Sequence, residues 1–152
     1  MNQQIRTTIR TYRSSDFDPI VALWYRTWHQ TFPHLQHPYP YSAWEARFRE
    51  ELVVQGSIWV AEIENQIAGF IVILVDRQWI DQLFVDAQYQ SQGIGAALLD
   101  QAKAICPQEL TLCTLQENLR ARSFYERHGF KPGKKSVNSF NGQPNIEYYW
   151  RS

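Results

Sequence analysis

Cysteine is scarce in this sequence: Cys106 and Cys113 are the only two in 152 residues. Two thiols make neither a disulfide framework nor a zinc quartet. An excess of charge of either sign is lacking as well. Fifteen Lys and Arg stand against fifteen Asp and Glu, for a formal net charge of +0. A broad basic face for nucleic acid is therefore not expected. Long apolar runs are missing too. The longest, Ile67 to Val75, has nine residues, too few to span a bilayer. Met1-Asn2-Gln3-Gln4 has neither the basic nor the apolar region of a secretory leader. These absences predict a cytoplasmic protein with no membrane and no nucleic-acid partner.

What is present is enough for a core. Hydrophobic residues make up 44% and aromatic residues 14%, which suits one independently folding domain, expected over residues 5–152. Thr7 to Tyr12 alternates as a first strand. "SSDFDPIVALWYRTWHQTF" follows, with Ser15 or Asp16 as cap and Pro19 in the first turn. Its Ile20, Leu23, Trp24, Thr27, Trp28 and Thr31 recur with helical period. After the loop "HLQHPYPY", Ser42 and Glu45 fit a capping box, and Trp44, Phe48 and Leu52 share a face before Gly56 closes the helix.

Ile58 to Ile63 and Ile67 to Val75 read as a hairpin around Glu64-Asn65-Gln66. Trp79 to Val85 is a further strand. Ile94, Ala97, Leu98, Ala102 and Ile105 form the buried face of the next helix. A strand over Leu110 to Leu115, a helix over Asn118 to His128 and a closing strand pair (Phe130 to Val137, Ile146 to Trp150) complete the chain. The fold class predicted is α/β: one mixed sheet flanked by helices.

The chemistry begins at "LFVDAQYQSQGIGAALLDQAK". A strand ends, two glycines sit one residue apart, and an amphipathic helix starts. The first turn of a helix carries backbone N–H groups without intrahelical partners, at the positive end of the dipole. An anion is stabilised there, and glycine lets the backbone approach it. Gln90-Ser91-Gln92-Gly93-Ile94-Gly95-Ala96 is thus a candidate phosphate cradle. It is no Walker loop, lacking the Gly-Lys-Ser/Thr, and no dinucleotide fingerprint, having Leu98 where a third small residue belongs. A plain strand-to-helix turn is the alternative.

A second cluster follows the next strand in "CTLQENLRARSFYERHGF". Asn118 opens a helix, and Tyr125 lies seven residues on, nearly two turns or about 10 Å along the same face. Asn offers an amide and Tyr a phenol that can hydrogen-bond or give up a proton. Each also has a plainer reading: an N-cap for Asn118 and a half-buried core aromatic for Tyr125.

Together, "IDQLFVDAQYQ", "QSQGIGAALL" and "NLRARSFYERHGF" in this order resemble the GNAT superfamily of N-acetyltransferases. They correspond to its fourth strand, its Gln/Arg-x-x-Gly-x-Gly/Ala pyrophosphate loop, and its Asn-to-Tyr helix with a Gly-Phe ending. The specific motifs lie between Ile80 and Phe130; the layout matches over nearly the whole chain. The resemblance implies a sheet whose fourth and fifth strands splay apart to admit acetyl-CoA as acyl donor, with no metal. It implies that backbone groups of Leu83, Phe84 and Val85 pair with the pantetheine arm and that the loop from Gln90 to Ala96 holds the pyrophosphate. Asn118 would contact the same cofactor, and Tyr125 would protonate the leaving thiolate.

An attacking amine must be neutral, so a base has to take its proton. Asp81 is the obvious carboxylate on the fourth strand, with a solvent-facing strand-start residue as the alternative. Where some peptide-acetylating relatives place a Glu, five residues before the Asn, this chain has Cys113, and Cys113 itself reads as an inert thiol. Glu117 reads as surface charge. His29, His34 and His37 match no metal-ligand spacing.

The acceptor region implied by the resemblance is aromatic. Trp28, His29, Tyr41 and Phe140 are its candidate residues, a wall suited to an amine on an apolar body. The function expected is direct transfer of an acetyl group to a primary amine of a small molecule. A non-catalytic CoA-binding module or sensor with the same fold is the alternative. Exposed aromatics are equally compatible with a homodimer contact.

Overall fold

The computed structural model describes residues 7–139 and 141–152. Its seven strands form one sheet in the order β1-β2-β3-β4-β5-β7-β6. The strands are β1 (Thr7–Thr11), β2 (Ser57–Ile63), β3 (Gln66–Leu74), β4 (Trp79–Val85), β5 (Glu109–Leu115), β6 (Lys131–Val137) and β7 (Pro144–Arg151). The helices are α1 (Phe17–Thr31), α2 (Tyr41–Arg47), α3 (Val53–Gln55), α4 (Ile94–Ile105) and α5 (Leu119–Arg127). A π-helical turn over Phe48–Leu52 joins α2 to α3. No helix among the described residues is long and apolar enough to cross a membrane.

The apolar run of β3 is explained by burial on both faces. Phe70 and Val72 pack toward α1 and α2, with Ile20, Leu23, Trp24, Trp44 and Phe48. Ile71 and Ile73 pack on the other side, with Ile94, Leu98, Leu99 and Tyr125 of α4 and α5. Glu64 and Asn65 turn the β2–β3 hairpin with positive φ at both, the conformation a two-residue hairpin turn demands.

Local capping departs from expectation at three points. Asp16 does not cap α1. Its carboxylate turns back to accept from the Arg13 N–H at 2.9 Å and pairs with Arg10. At α2 the helix already begins at Tyr41, behind Pro40 as N-cap, and no side chain caps it. Starting the helix one residue early removes Ser42 from the cap position that its box requires. Gly56 has φ −101, so it is no left-handed cap. It is glycine for want of room: a Cβ there would lie 2.6 Å from Val72 Cγ1 and 2.8 Å from the Leu52 carbonyl oxygen. Gly56→Ala is expected to cost about 1–3 kcal/mol as overpacking, read as a lowered urea midpoint with unchanged m-value. Thr31, assigned to the buried stripe, is exposed, and its hydroxyl donates to the Thr27 carbonyl at 2.8 Å.

The feature that makes a site is a missing ladder. β4 and β5 are parallel neighbours, yet their register contains one pair, Trp79↔Thr111. Beyond it β4 stays on β3, through Leu83 to Ile71, Phe84 to Phe70 and Val85 to Gly69. β5 goes with β7 along its whole length. The two strands diverge, and the sheet opens between them.

Candidate active site

The opening is the floor of a cleft of about 1360 Å³, lined by α1, α2, β4, β5, α5 and the loop before α4. On its β4 side, Leu83, Phe84 and Val85 have no strand on their outer edge among the described residues. Backbone groups on such an edge can be paired by an extended ligand. The Val85 carbonyl already accepts from the Gln90 side-chain amide at 3.2 Å, so Gln90 anchors the loop to the strand end.

The glycine loop has the conformation a cradle needs. Gly93 is the N-cap of α4 with φ +80, and no atom of the other described residues beyond its chain neighbours lies within 4 Å of where its Cβ would be. Ser91 adopts φ +66 without being glycine. A Cβ on Gly95 would lie 3.2 Å from the Phe124 ring, so a larger residue there would push α5 away from α4. Gln90, Ser91, Gly93, Ile94, Gly95 and Ala96 line the cleft; Gln92 is exposed and does not. Arg120, in the first turn of α5, donates to the Ser91 hydroxyl at 3.3 Å. It brings a guanidinium to the cradle that the sequence pattern did not single out.

Asn118 fulfils the plainer of its two readings and keeps the other open. Its Oδ1 accepts from the Ala121 N–H at 3.2 Å as the N-cap of α5, while the residue lines the cleft. Tyr125 also lines it, at 7% exposure, with Phe124, Phe130 and Tyr148 around its ring. Burial pushes its phenol well above the usual range.

Asp81 sits at an irregularity. Gln82 pairs with Val72 and Ile80 with Ile73, which leaves Asp81 as the extra residue of a bulge in β4. A bulge re-aims its side chain, and Asp81 lines the cleft. Its Oδ2 accepts from the Gln82 amide at 3.2 Å and lies 3.7 Å from Nη2 of Arg47. Arg47 was missed in the sequence because it reads as a surface residue of α2. Its place one turn after Trp44 puts it on the same face.

The wall of the cleft toward α1 and α2 is aromatic. Trp24 and Trp44 lie 4.6 Å apart between ring centroids, His37 and Trp44 4.5 Å, and Trp28 and His37 4.9 Å. All four residues line the cleft. The Trp44 indole N–H and the Thr27 hydroxyl are enclosed here without a hydrogen-bond partner among the described residues. His37 is held below its ordinary pKa by burial, with His29 and Arg47 adding to the effect. Its Nδ1 accepts from the Tyr39 N–H at 3.2 Å, so the neutral ring carries its proton on Nε2.

Of the other acceptor candidates, Trp28 is in the lining, whereas His29 and Tyr41 stand behind it against Tyr25. Phe140 lies outside the described residues. Glu117 is exposed, as its surface-charge reading has it, and it also lines the cleft, where its carboxylate meets His34 Nε2 at 2.8 Å. Cys113 also lines the cleft, but burial and Glu147 push its thiol up, which disfavours the nucleophilic thiolate. Cys106 packs into the core beside α4. No group of three or more His, Cys, Asp or Glu among the described residues is placed to hold a metal ion.

Comparison with known proteins agrees with this geometry. The family model of the acetyltransferase (GNAT) family matches residues 18–130. An uncharacterized N-acetyltransferase of Escherichia coli, YafP, is 33% identical over 147 residues, covering 94% of this chain and 93% of its own. The peptidyl-lysine N-acetyltransferase YjaB of Escherichia coli is 30% identical over 145 residues, with 90% of each chain covered. The solution structure of its apo form superposes with a TM-score of 0.79 at 28% identity, covering 96% and 98% of the two chains. The PaiA N-acetyltransferase of Thermoplasma acidophilum, solved in complex with coenzyme A, shares the fold at a TM-score of 0.78 and 19% identity, with 97% and 100% covered. The chain belongs to the GNAT family and is an N-acetyltransferase.

Proposed function

We propose that this enzyme transfers an acetyl group from acetyl-CoA directly to a primary amine of a small molecule. The observation that carries the reading is the divergence of β4 from β5 after the Trp79↔Thr111 pair, with the glycine cradle, Tyr125 and Asp81 all lining the gap. The donor supplies an acetyl group activated as a thioester.

The residues divide the work. The outer edge of Leu83–Val85 holds the pantetheine arm as an added strand. Backbone N–H groups at the start of α4 hold the diphosphate, and the Asn118 amide supports the arm from the other side. Asp81 takes the proton from the acceptor nitrogen. Donors on the open edge of β4 face the developing oxyanion, and the Tyr125 hydroxyl serves the departing sulfur.

A second reading, a lysine side chain within a peptide as acceptor, is favoured by the two YjaB relatives, at 29% and 30% identity. Acetyl-CoA-dependent thiol release across amino acids, arylamines, polyamines, aminoglycosides and lysyl peptides tests both. The expected result is stimulation by one class of small amine, with the acetylated product found by mass spectrometry. Stimulation by lysyl peptides alone supports the second reading, and a flat panel overturns both.

A further inference from the structure

We infer that the acceptor is an aromatic or apolar amine that also carries a neutral hydrogen-bond-accepting oxygen, a carbonyl above all, held by the Trp44 indole N–H and the Thr27 hydroxyl. The inference rests on the proposed function and names the chemistry of the acceptor within it.

The argument starts from two polar atoms that the fold buries unsatisfied. Thr27 and Trp44 are each 4% exposed, and both line the cleft. The Thr27 hydroxyl and the Trp44 indole nitrogen have no hydrogen-bond partner among the described residues. Buried polar groups are almost always paired, because an unpaired one forfeits its hydration. Two of them on one wall of one cleft are groups that a ligand can pair. The ligand group has to accept, since an indole nitrogen only donates.

The two atoms belong to one place. Thr27 lies on α1 between Trp24 and Trp28, and the Trp44 ring meets both of those, at centroid distances of 4.6 and 6.2 Å. The His37 ring lies 4.5 Å from Trp44 and 4.9 Å from Trp28. Its Nδ1 accepts from the Tyr39 N–H, so Nε2–H of the neutral ring is a third donor. All three groups are uncharged and match a neutral oxygen. A carboxylate among indole rings would lose more hydration than uncharged donors return. Arg47, whose guanidinium carbon lies 5.7 Å from the Trp24 ring, is engaged by Asp81 and Glu51 and has no part in the site. His37 lies in the loop between α1 and α2, outside any helix or strand. That loop is the part of the wall most able to give way as an oxygen reaches the enclosed donors.

One small molecule spans this site and the base. Trp44 stands three residues before Arg47 on α2, about 4.5 Å along the axis, and Arg47 lies beside Asp81. The distance from an amine at Asp81 to an oxygen at Trp44 is thus on the scale of one aromatic ring with a short tether. Trp24, Trp28 and Trp44 give that body an apolar wall. A lysine side chain offers only methylenes over the same span.

The test compares meta- and para-acetylphenethylamine with their isopropyl analogues, which have the same shape without the oxygen, and with a lysyl peptide. Thiol release and product mass give the rates. For the wild type, kcat/KM for the better ketone is expected to exceed that of its isopropyl analogue by about tenfold or more, the range of a hydrogen bond whose loss leaves a buried donor unpaired. Thr27→Val, which keeps the shape of the wall, and Trp44→Phe are each expected to slow the ketones more than the isopropyl amines. In the proton–nitrogen spectrum of the CoA-loaded protein, the Trp44 indole N–H, assigned by its loss in Trp44→Phe, should move downfield with the ketone and not with the isopropyl amine. Equal rates for the matched pairs, a preference that survives both substitutions, or an indole resonance that the ketone leaves unmoved overturns the inference and leaves the proposed function standing. No transfer to any amine while the ketone still moves the Trp44 resonance overturns the proposed function and supports the oxygen site. Preferred acetylation of the lysyl peptide overturns both.

Discussion

Replacing Tyr125 by Phe is expected to lower kcat about 10²-fold while leaving the CoA dissociation constant within about twofold. The ring is held by Phe124, Phe130 and Tyr148, at centroid distances of 5.3, 5.6 and 6.2 Å. Phe keeps those contacts, so the fold and the cofactor cleft should persist. What disappears is one hydroxyl. General acid catalysis contributes typically 10²–10⁴-fold, and the lower end applies here for a physical reason. Burial holds the phenol well above its ordinary range, and a free thiol titrates near 8.5. Full proton transfer to the thiolate is then uphill; much of the benefit is a hydrogen bond to the developing charge.

Two further outcomes follow from that direction. The hydroxyl stays protonated through the whole working range, so an alkaline loss of rate below about pH 10 must come from another group. A donor with a more acidic leaving thiol needs less help and should narrow the difference between Tyr125→Phe and wild type. Unchanged turnover with CoA thioesters, where acetyl transfer itself limits the rate, would rule out the acid role.

The elements that were legible in the sequence are those whose pattern is local. The stripe of α1, the two-sided run of β3 and the Gly93 turn can each be read within a dozen residues, because period and turn chemistry act at that range. The order of elements followed, and with it the loop, Asn118 and Tyr125. What escaped depended on contacts across the chain. Asp16 has the composition of a cap, but Arg10 and the Arg13 N–H claim its carboxylate. Gly56 has the position of a left-handed stop, but the methyl of Val72 decides the residue.

Arg47 and Arg120 carry no signal at all in one dimension. Each is an ordinary charged helix residue until the fold brings Asp81 beside one and Ser91 beside the other. The same holds for His34 and Glu117, 83 positions apart and 2.8 Å from each other. Asp81 with Arg47 and His34 with Glu117 line the cleft across from the glycine loop as pairs distant in sequence, whereas the cradle itself is one continuous loop after one strand. This is why the donor side of the cleft is legible in motifs, which are local, and the opposite side is not.

Asp16→Ala is expected to destabilise the protein by about 3–5 kcal/mol at neutral pH, the cost of breaking a buried pair from one side. Asp16 is 4% exposed. Arg10 donates to both its oxygens at 2.8 Å, and the Arg13 N–H donates at 2.9 Å. Arg10 also reaches Glu62 at 2.6 Å, so one guanidinium ties β1 to the start of α1 and to β2. Desolvation works against the charged carboxylate, but Arg10 and the Arg13 N–H outweigh it and hold Asp16 below the ordinary carboxylate range. A group whose pKa is depressed by folding adds stability above its unfolded value, near 3.9, and that stability fades as pH falls through the folded value. Wild type should therefore lose its advantage on acidification, and Asp16→Asn, which cannot ionise, should show a flatter profile below about pH 4. Urea unfolding at neutral pH and near pH 3 measures both; a wild-type advantage over Asp16→Asn independent of pH would assign the effect to packing alone. The consequence reaches the cleft, because α1 carries Trp24, Thr27 and Trp28 to its aromatic wall, and the helix whose start loosens in acid is the one that shapes it.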